Sequence, residues 1–334
     1  MSSQPIQPLR LGTPLENHLA ECGLLVKRED LSCPAPGPPF SKTRGVFSHV
    51  KARVEAGVKL FGVLDTSHSQ AGHAVAHATR LLGADCVNFF PVYKRDLRPA
   101  SDVREEDTPA VVLDDGQTVK LRDPQVMSSR LGARLVGLGA GRSAVLYHQA
   151  KKQTEALGGY TMPNALKLPE TLEETAAEVV RTLEGASREH FEVMRDVPWI
   201  ISCSSATIAS GVLAGLCDVF PMGEKGARHP RLILHMGYSR SREAVYKYVE
   251  KRFALARRRS IGLIQDGNMG ASFVDPTKVI LAFVDEGYAY ADQAKPGPTP
   301  PWPCNPYYDL KALRWWLREG RDRYNGRAVF WNVG

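Results

Sequence analysis

PWIISCSSATIASGVLAGLCDVF, residues 198–220, carries the pattern that decides the fold. The apolar run Pro198–Ser202 is short and holds aromatic and β-branched side chains, so it reads as a buried strand. Small polar residues interrupt it at Cys203–Thr207, and an alanine- and glycine-rich helix follows over 210–220. A strand that feeds a helix through a polar turn is the repeating unit of a parallel α/β sheet.

The same alternation recurs outward in both directions. KLFGVLD (59–65) reads as a strand, GHAVAHATRLLG (72–83) as a helix ending at Gly83, and DCVNFFPV (85–92) again as a strand. AVVLDD (110–115), SAVLYH (143–148), RLILHMG (231–237) and KVILAFVDEGYAYAD (278–292) continue the series of apolar runs, with TLEETAAEVVRTL (171–183) helical between them. KPGPTPPWPCNP (295–306) is a loop, LKALRWWLREGRDRY (310–324) a last amphipathic helix, and AVFWNVG (328–334) a closing strand. The expectation is an α/β protein with parallel sheets. At 334 residues, two domains are the default.

Composition excludes several classes. With 43% hydrophobic and 24% charged residues the chain is of ordinary globular type. No apolar run reaches the ~18 residues of a membrane span, and MSSQPIQPLRLG lacks the apolar core of a secretion signal. A cytoplasmic protein without membrane contact is expected. The six cysteines (22, 33, 86, 203, 217, 304) have neither CxxC nor zinc spacing and read as reduced, mostly buried thiols. His68, His73 and His77 have no cysteine or HExxH pattern beside them, so no metal is expected.

The net charge of +7 is concentrated. Residues 240–259 hold eight Lys/Arg against Glu243 and Glu250, a balance of +6. One reading is a solvated helix face with i,i+4 pairs. The other is a cationic patch for phosphates or nucleic acid, built on Arg240, Arg242, Lys247, Lys251, Arg257, Arg258 and Arg259, with Tyr246, Tyr248 and Phe253 interleaved.

Three turns hold the candidate chemistry. GLGAGR (137–142) is mid-chain with Arg142 where the last glycine of a dinucleotide fingerprint belongs, so a Rossmann cofactor site is rejected. In CSSATIASG (203–211), free N–H groups at a helix start and the hydroxyls of Ser204, Ser205 and Thr207 suit a phosphate; an ordinary capped helix is the alternative. DTSHSQAGH (65–73) is a second polar turn between a strand and a helix. In PPFSKTRGVFSHV (38–50), Lys42 stands at a helix start, where the dipole disfavours a cation. It is either a surface lysine or a nucleophile.

In order along the chain, these segments resemble fold-type II pyridoxal-phosphate (PLP) enzymes. TPLENHLAECGLLVKREDL (13–31) is similar to their opening. SKTRG (41–45) falls where the aminocyclopropane-carboxylate (ACC) deaminase and D-cysteine desulfhydrase branch has NKxRK. QAGH (70–73) matches QSNH, CSSAT (203–207) the phosphate loop GSGGT, NPYYDLK (305–311) DPVYEGK, and VFWNVG the closing FxHTGG. The resemblance implies a tryptophan-synthase β-like architecture of two open, mainly parallel sheets flanked by helices. It implies a large PLP-binding domain of 1–48 plus 150–334, a small domain of 49–149, an active site in the cleft between them, and a homodimer.

Carried over by position, Lys42 is the Schiff-base lysine. Ser204, Ser205, Ala206 and Thr207 hold the cofactor phosphate, Asp309 faces the pyridine nitrogen, and His73 belongs to the cofactor site. Tyr308 and Tyr288 are active-site tyrosines, and Ser69, Gln70 and Gly72 contact substrate. Ser41 replaces the asparagine usually beside the cofactor's phenolic oxygen. Ala71 and Gly72 replace a Ser-Asn pair, which is expected to open space, and Val333 replaces the closing threonine.

These departures turn the expectation away from the deaminase reaction. HMGYSRSREAVYKYV (235–249) and YTMPNALKLPE (160–170) are more similar to divergent PLP enzymes of bacteriophage clusters that hypermodify thymine. The implied function is a lyase, a PLP-dependent decarboxylase acting on a glycyl- or seryl-type adduct of thymidine, as nucleotide or in DNA, in the host cytoplasm. The alternatives are a β-eliminating lyase or deaminase on a small free amino acid, and a non-catalytic PLP-fold protein that binds DNA.

Overall fold

The computed structural model describes residues 9–66, 68–98, 111–112, 116–220, 231–257, 262–263 and 280–334. Its strands are β1 (Leu15–His18), β2 (Leu24–Arg28), β3 (Leu60–Leu64), β4 (Asp85–Val92), β5 (Leu97–Arg98), β6 (Val111–Val112), β7 (Thr118–Val119), β8 (Arg134–Gly139), β9 (Tyr160–Thr161), β10 (Trp199–Cys203), β11 (Arg231–Met236), β12 (Gly262–Leu263), β13 (Ile280–Val284) and β14 (Ala328–Asn332). The chain divides into two compact units. One is 1–9, 33–38 and 42–170; the other is 10–32, 39–41 and 171–334. The chain passes from the second unit to the first between Ser41 and Lys42.

The second unit is built on a seven-stranded sheet of order β1-β2-β14-β10-β11-β13-β12. Only the β1–β2 pair is antiparallel among these strands. Both faces are covered, as a parallel sheet requires, and the two-residue period of each strand divides its side chains. Trp199, Ile201 and Cys203 of β10 join Leu232, Leu234 and Met236 of β11, and Val329 and Trp331 of β14, in one core. Ile200, Ile233 and Phe330 point the other way and pack with Trp315, Trp316 and Leu313 of the C-terminal helix. The sequence PWIISC thus buries every residue of β10 because both faces meet helices.

The helix Thr207–Val219 approaches the helix Pro169–Glu184 closely. A Cβ at Gly211 would fall 2.5 Å from Thr175 Cβ, and one at Gly215 would fall 2.5 Å from the Ala176 carbonyl. The two glycines lie one turn apart on one face and set the distance at which this helix, and the turn before it, sits on the sheet.

The first unit has a parallel sheet of order β8-β4-β3-β9 and a small antiparallel sheet β5-β7-β6. Leu64, Val87, Phe89, Leu138, Leu146 and Ala150 form a core cluster there. The α/β class with mainly parallel sheets stands.

One sequence reading is corrected. SAVLYH is the start of the helix Ser143–Ala156, not a strand. Leu146, Ala150 and Thr154 are its buried residues, a four-residue spacing that the short apolar window AVLY conceals. The strand of that region lies earlier, at β8, within the stretch that contains GLG. Among its described residues, KVILAFVDEGYAYAD contributes the strand β13, and its tyrosines lie beyond the strand's end.

Candidate active site

In the first unit, Lys42 is the residue preceding the helix Thr43–Glu55. Its side chain is buried at 7% exposure, and Nζ donates to the Ala165 carbonyl at 2.8 Å. A surface lysine is therefore excluded. The accepting turn is itself strained, with left-handed φ of 58° at Ala165 and 49° at Leu166.

The turn Ser69–His73 follows β3. Asp65, fully buried at the end of that strand region, accepts from the Gly72 amide (2.9 Å) and from Asn88 Nδ2 (3.0 Å). Burial pushes its carboxyl up to about 6 despite these donors. Ser69 Oγ accepts from the Ala71 amide at 3.0 Å. The space expected at Gly72 is filled: a Cβ there would lie 2.0 Å from Asn88 Nδ2 and 2.5 Å from Asp65 Oδ2.

His73 is buried. Its Nε2 faces the Pro36 carbonyl at 2.9 Å, so Nε2 carries the proton, and Nδ1 lies 3.4 Å from Gln70 Oε1. Burial lowers its pKa, which keeps the ring neutral. One turn on, His77 Nε2 lies 3.2 Å from Cys33 Sγ. Burial raises that thiol to about 12 and lowers that imidazole to about 4, so the pair is neutral. His73 and His77 thus grip the 33–36 segment a few residues before Lys42. Sequence reasoning missed Asp65 and Cys33, whose partners are far off in the chain.

In the second unit, the Ser204–Ala206 turn follows β10 and opens the helix Thr207–Val219 without a side-chain cap. Ala206 adopts φ 63°, a left-handed conformation. Thr207 Oγ1 lies 3.3 Å from Ser205 Oγ and 3.2 Å from Tyr248 OH. Arg240 reaches back to donate to the Ser204 carbonyl. Helix-start N–H groups, two hydroxyls and a guanidinium therefore meet at one turn, a suitable setting for a dianionic phosphate.

Asp309 is fully buried. Its Oδ1 accepts from the Val333 amide (3.1 Å) and its Oδ2 from the Gly334 amide (3.0 Å). Burial pushes its carboxyl up to about 7. Tyr308 stands beside Gly237 and donates to Tyr290 OH at 3.5 Å; burial raises its phenol pKa. Tyr288 is buried under Lys311, whose Nζ lies 4.5 Å from its ring centroid and donates to the Gly237 carbonyl at 2.5 Å. The two tyrosines thus converge on Gly237 from different segments.

The basic stretch is less bare than its sequence suggests. Lys247 pairs with Glu243 at 2.6 Å, and Arg252 lies 5.4 Å from the Tyr248 ring centroid. Arg242, Lys247 and Lys251 are exposed, Arg240 serves the Ser204 turn, and Arg257 ends the helix Arg242–Arg257. Arg258 and Arg259 lie outside the described residues. All six cysteines are free thiols, and no metal-ligand cluster occurs among the described residues.

The fold is that of the fold-type II PLP-dependent enzymes. The crystal structure of an ACC deaminase homologue superposes with a TM-score of 0.67 at 14% identity, covering 98% of this chain and 91% of the other. A fungal L-serine ammonia-lyase from Rhizomucor miehei gives 0.56 at 14% identity, covering 98% and 95%. No family model matches the chain. In sequence it is 41% identical over 327 residues to the glycyl-dTMP PLP-dependent decarboxylase of Pseudomonas phage M6, covering 96% of this chain and 98% of that protein, and it belongs to that protein's family.

The residues present suit a pyridoxal phosphate. Besides the open helix start and the buried Asp309, Ser41 Oγ and Ser202 Oγ are buried without a hydrogen-bond partner among the described residues. Buried hydroxyls left this way are uncommon unless a ligand or water completes them.

Proposed function

We propose that the chain is a PLP-dependent decarboxylase acting on a glycyl-type adduct of thymidine, carried as a nucleotide or within DNA, in phage thymine hypermodification. One observation carries this reading: the 41% identity that spans nearly the whole of both chains with the phage glycyl-dTMP decarboxylase.

When bound, the cofactor accepts the electron pair that Cα retains as the substrate carboxylate departs as CO2. Lys42 anchors it through Nζ and then returns a proton to Cα, work suited to a buried amine. Ser204, Ser205, Ala206 and Thr207 bind its phosphate. Asp309, its carboxyl pushed to about 7, would hold or give up a proton beside the cofactor ring. Tyr308 and Tyr288 shield the reacting carbon from water. Ser69 and Gln70 orient the departing carboxylate from the turn that Asp65 shapes through the Gly72 amide and that His73 braces. A homodimer acting in the host cytoplasm belongs to the same reading; among the described residues no helix is long and apolar enough to cross a membrane.

The test is incubation of the PLP-loaded protein with synthetic glycyl-dTMP, followed by mass analysis of the nucleotide. The expected product has lost CO2 and gained a proton at Cα, with the amine of the adduct retained. Lys42→Ala is expected to abolish both the product and the visible absorption of the lysine-bound cofactor. Release of ammonia and a keto acid instead would move the assignment to an eliminating lyase.

A further inference from the structure

The carboxyl ends of parallel strands are where open α/β sheets bind ligands, and two of those ends in the second unit are followed by tyrosines that pair with each other. Tyr238 follows β11, separated from Met236 by Gly237, and Tyr290 lies in the segment after β13. Their rings meet edge to face, with centroids 5.1 Å apart and planes at 89°. Tyr308 donates to Tyr290 OH at 3.5 Å, and the Arg240 guanidinium lies 5.6 Å from the Tyr238 ring centroid. The Ser204 turn after β10, to which Arg240 is tied, is next to this group: the Gly237 amide donates to the Cys203 carbonyl at 3.1 Å.

We propose that Tyr238 and Tyr290 form the seat of the substrate's pyrimidine ring, and so select an amino acid borne on a thymidine nucleotide over a free one. This rests on the substrate assigned above and assigns the part of the protein that recognises the base.

Four observations support it. First, the two rings are half-buried, whereas the tryptophans that serve the core of this unit, Trp199, Trp302, Trp315, Trp316 and Trp331, are at most 2% exposed. Second, the two rings stand at 89°, so the pair presents aromatic surfaces in two orientations rather than one closed stack. Third, Ser202 Oγ is buried to 7% exposure without a partner and lies 3.6 Å from where a Cβ of Gly237 would stand, on the side where Tyr308 Cδ1 is 3.1 Å from the same point. A hydroxyl left open there is a polar group awaiting a ligand. Fourth, burial raises the phenol pKa of Tyr238 and of Tyr308, so these hydroxyls stay protonated and can donate.

The chemistry fits a thymine. Its plane stacks on a phenol ring, its two carbonyls accept from hydroxyls, and its N3–H donates to one. Arg240 places a positive charge at the rim, where the anion of a nucleotide adds a contact. A free glycine-type substrate would use none of these groups.

The experiment is calorimetric titration of the PLP-loaded protein with thymidine 5′-monophosphate and, separately, deoxyribose 5-phosphate, followed by steady-state kinetics on glycyl-dTMP. The wild type is expected to bind the thymidine compound at least roughly ten-fold more tightly than the sugar phosphate, the scale of one base–aromatic stack. Tyr238→Ala and Tyr290→Ala are each expected to erase most of that difference and to raise KM about ten-fold, with kcat within about two-fold. The visible absorption of the bound cofactor should not change. Equal wild-type affinity for the two ligands overturns the proposal without needing any variant. So does a variant whose thymidine affinity is unaltered, or one in which only kcat and the cofactor absorption fall. If the wild type binds the nucleotide through these tyrosines yet releases no CO2 from glycyl-dTMP, the base seat stands and the decarboxylase reading falls. If CO2 is released but the tyrosine variants are indifferent, the reverse holds.

Discussion

At Ala206 a non-glycine residue holds φ 63° in the turn that begins the phosphate-suited helix, where the resembling enzymes carry glycine. A left-handed conformation costs a residue with a Cβ roughly 1–2 kcal/mol, while glycine loses about 0.5–1 kcal/mol more chain entropy on folding. Ala206→Gly is therefore expected to raise stability by up to about 1 kcal/mol in chemical denaturation and to leave PLP affinity unchanged; a loss would show that the loop is not strained. The strain stays because the turn must present its N–H groups outward. Asp309 is a second residue at which local energetics oppose folding. Burial pushes its carboxyl from 3.8 up to about 7. A group whose folded pKa lies above its unfolded one favours the fold fully below the unfolded value. That contribution is lost as pH rises through the folded value. The window here is 3.8 to about 7. Asp65 acts in the same sense up to about 6, so the wild-type curve alone cannot isolate Asp309. Asp309→Asn cannot ionise, and its melting temperature in the PLP-free protein is expected to gain on that of the wild type as pH climbs through the window. Parallel melting curves would show that the carboxyl does not titrate there.

At the scale of elements, the helix Thr207–Val219 is positioned by absence of side chains. Gly211 and Gly215 let it approach the helix Pro169–Glu184, and any Cβ at either site collides with backbone or Cβ atoms. Gly215→Val is expected to cost about 1–3 kcal/mol in denaturant unfolding and, by lifting the helix start, to weaken PLP binding as well. A full-strength variant would mean that the neighbouring helix can slide freely. These glycines are visible in SGVLAGLC, yet nothing in that string says which helix they face. The same limit separates what was readable from what was not. Strand β10, its polar turn and the following helix were legible because hydrophobic period and turn chemistry are local. Lys42 and Asp309 stand out in the sequence because their motifs are short and ordered along the chain, and the structure buries both side chains. SAVLYH was misread because four apolar residues fit either period, and the helix declares itself only through Ala150 and Thr154. Gly72 looked like vacated space because its occupants, Asp65 and Asn88, lie on two other segments. The Tyr238–Tyr290 pair was hidden for the same reason: the two residues come from different strand ends.

At the scale of the whole molecule, the excess of positive charge bears on what form the substrate takes. The sequence places +6 of the net +7 in residues 240–259, but the folded helix spends part of that charge on itself. Glu243 holds Lys247 at 2.6 Å, and the Lys247 and Glu243 pKa values move apart as an ion pair requires, Lys247 upward and Glu243 downward. Both side chains are exposed, so the pair is worth little and can open to a phosphate backbone. A free nucleotide brings one phosphate group and needs at most Arg240; a DNA substrate brings a row of them. The two cases differ in salt dependence, since each phosphate contact on duplex DNA adds about −0.9 to the slope of log affinity against log salt. If DNA is the substrate, binding of a duplex of any sequence is expected to weaken steeply with salt. The double variant Lys247→Gln, Lys251→Gln should then flatten that slope by about 2 while leaving the KM for free glycyl-dTMP unaltered. An unchanged slope would remove these two lysines from the DNA path. A wild-type slope near zero would leave the helix a solvated face and the nucleotide as the substrate.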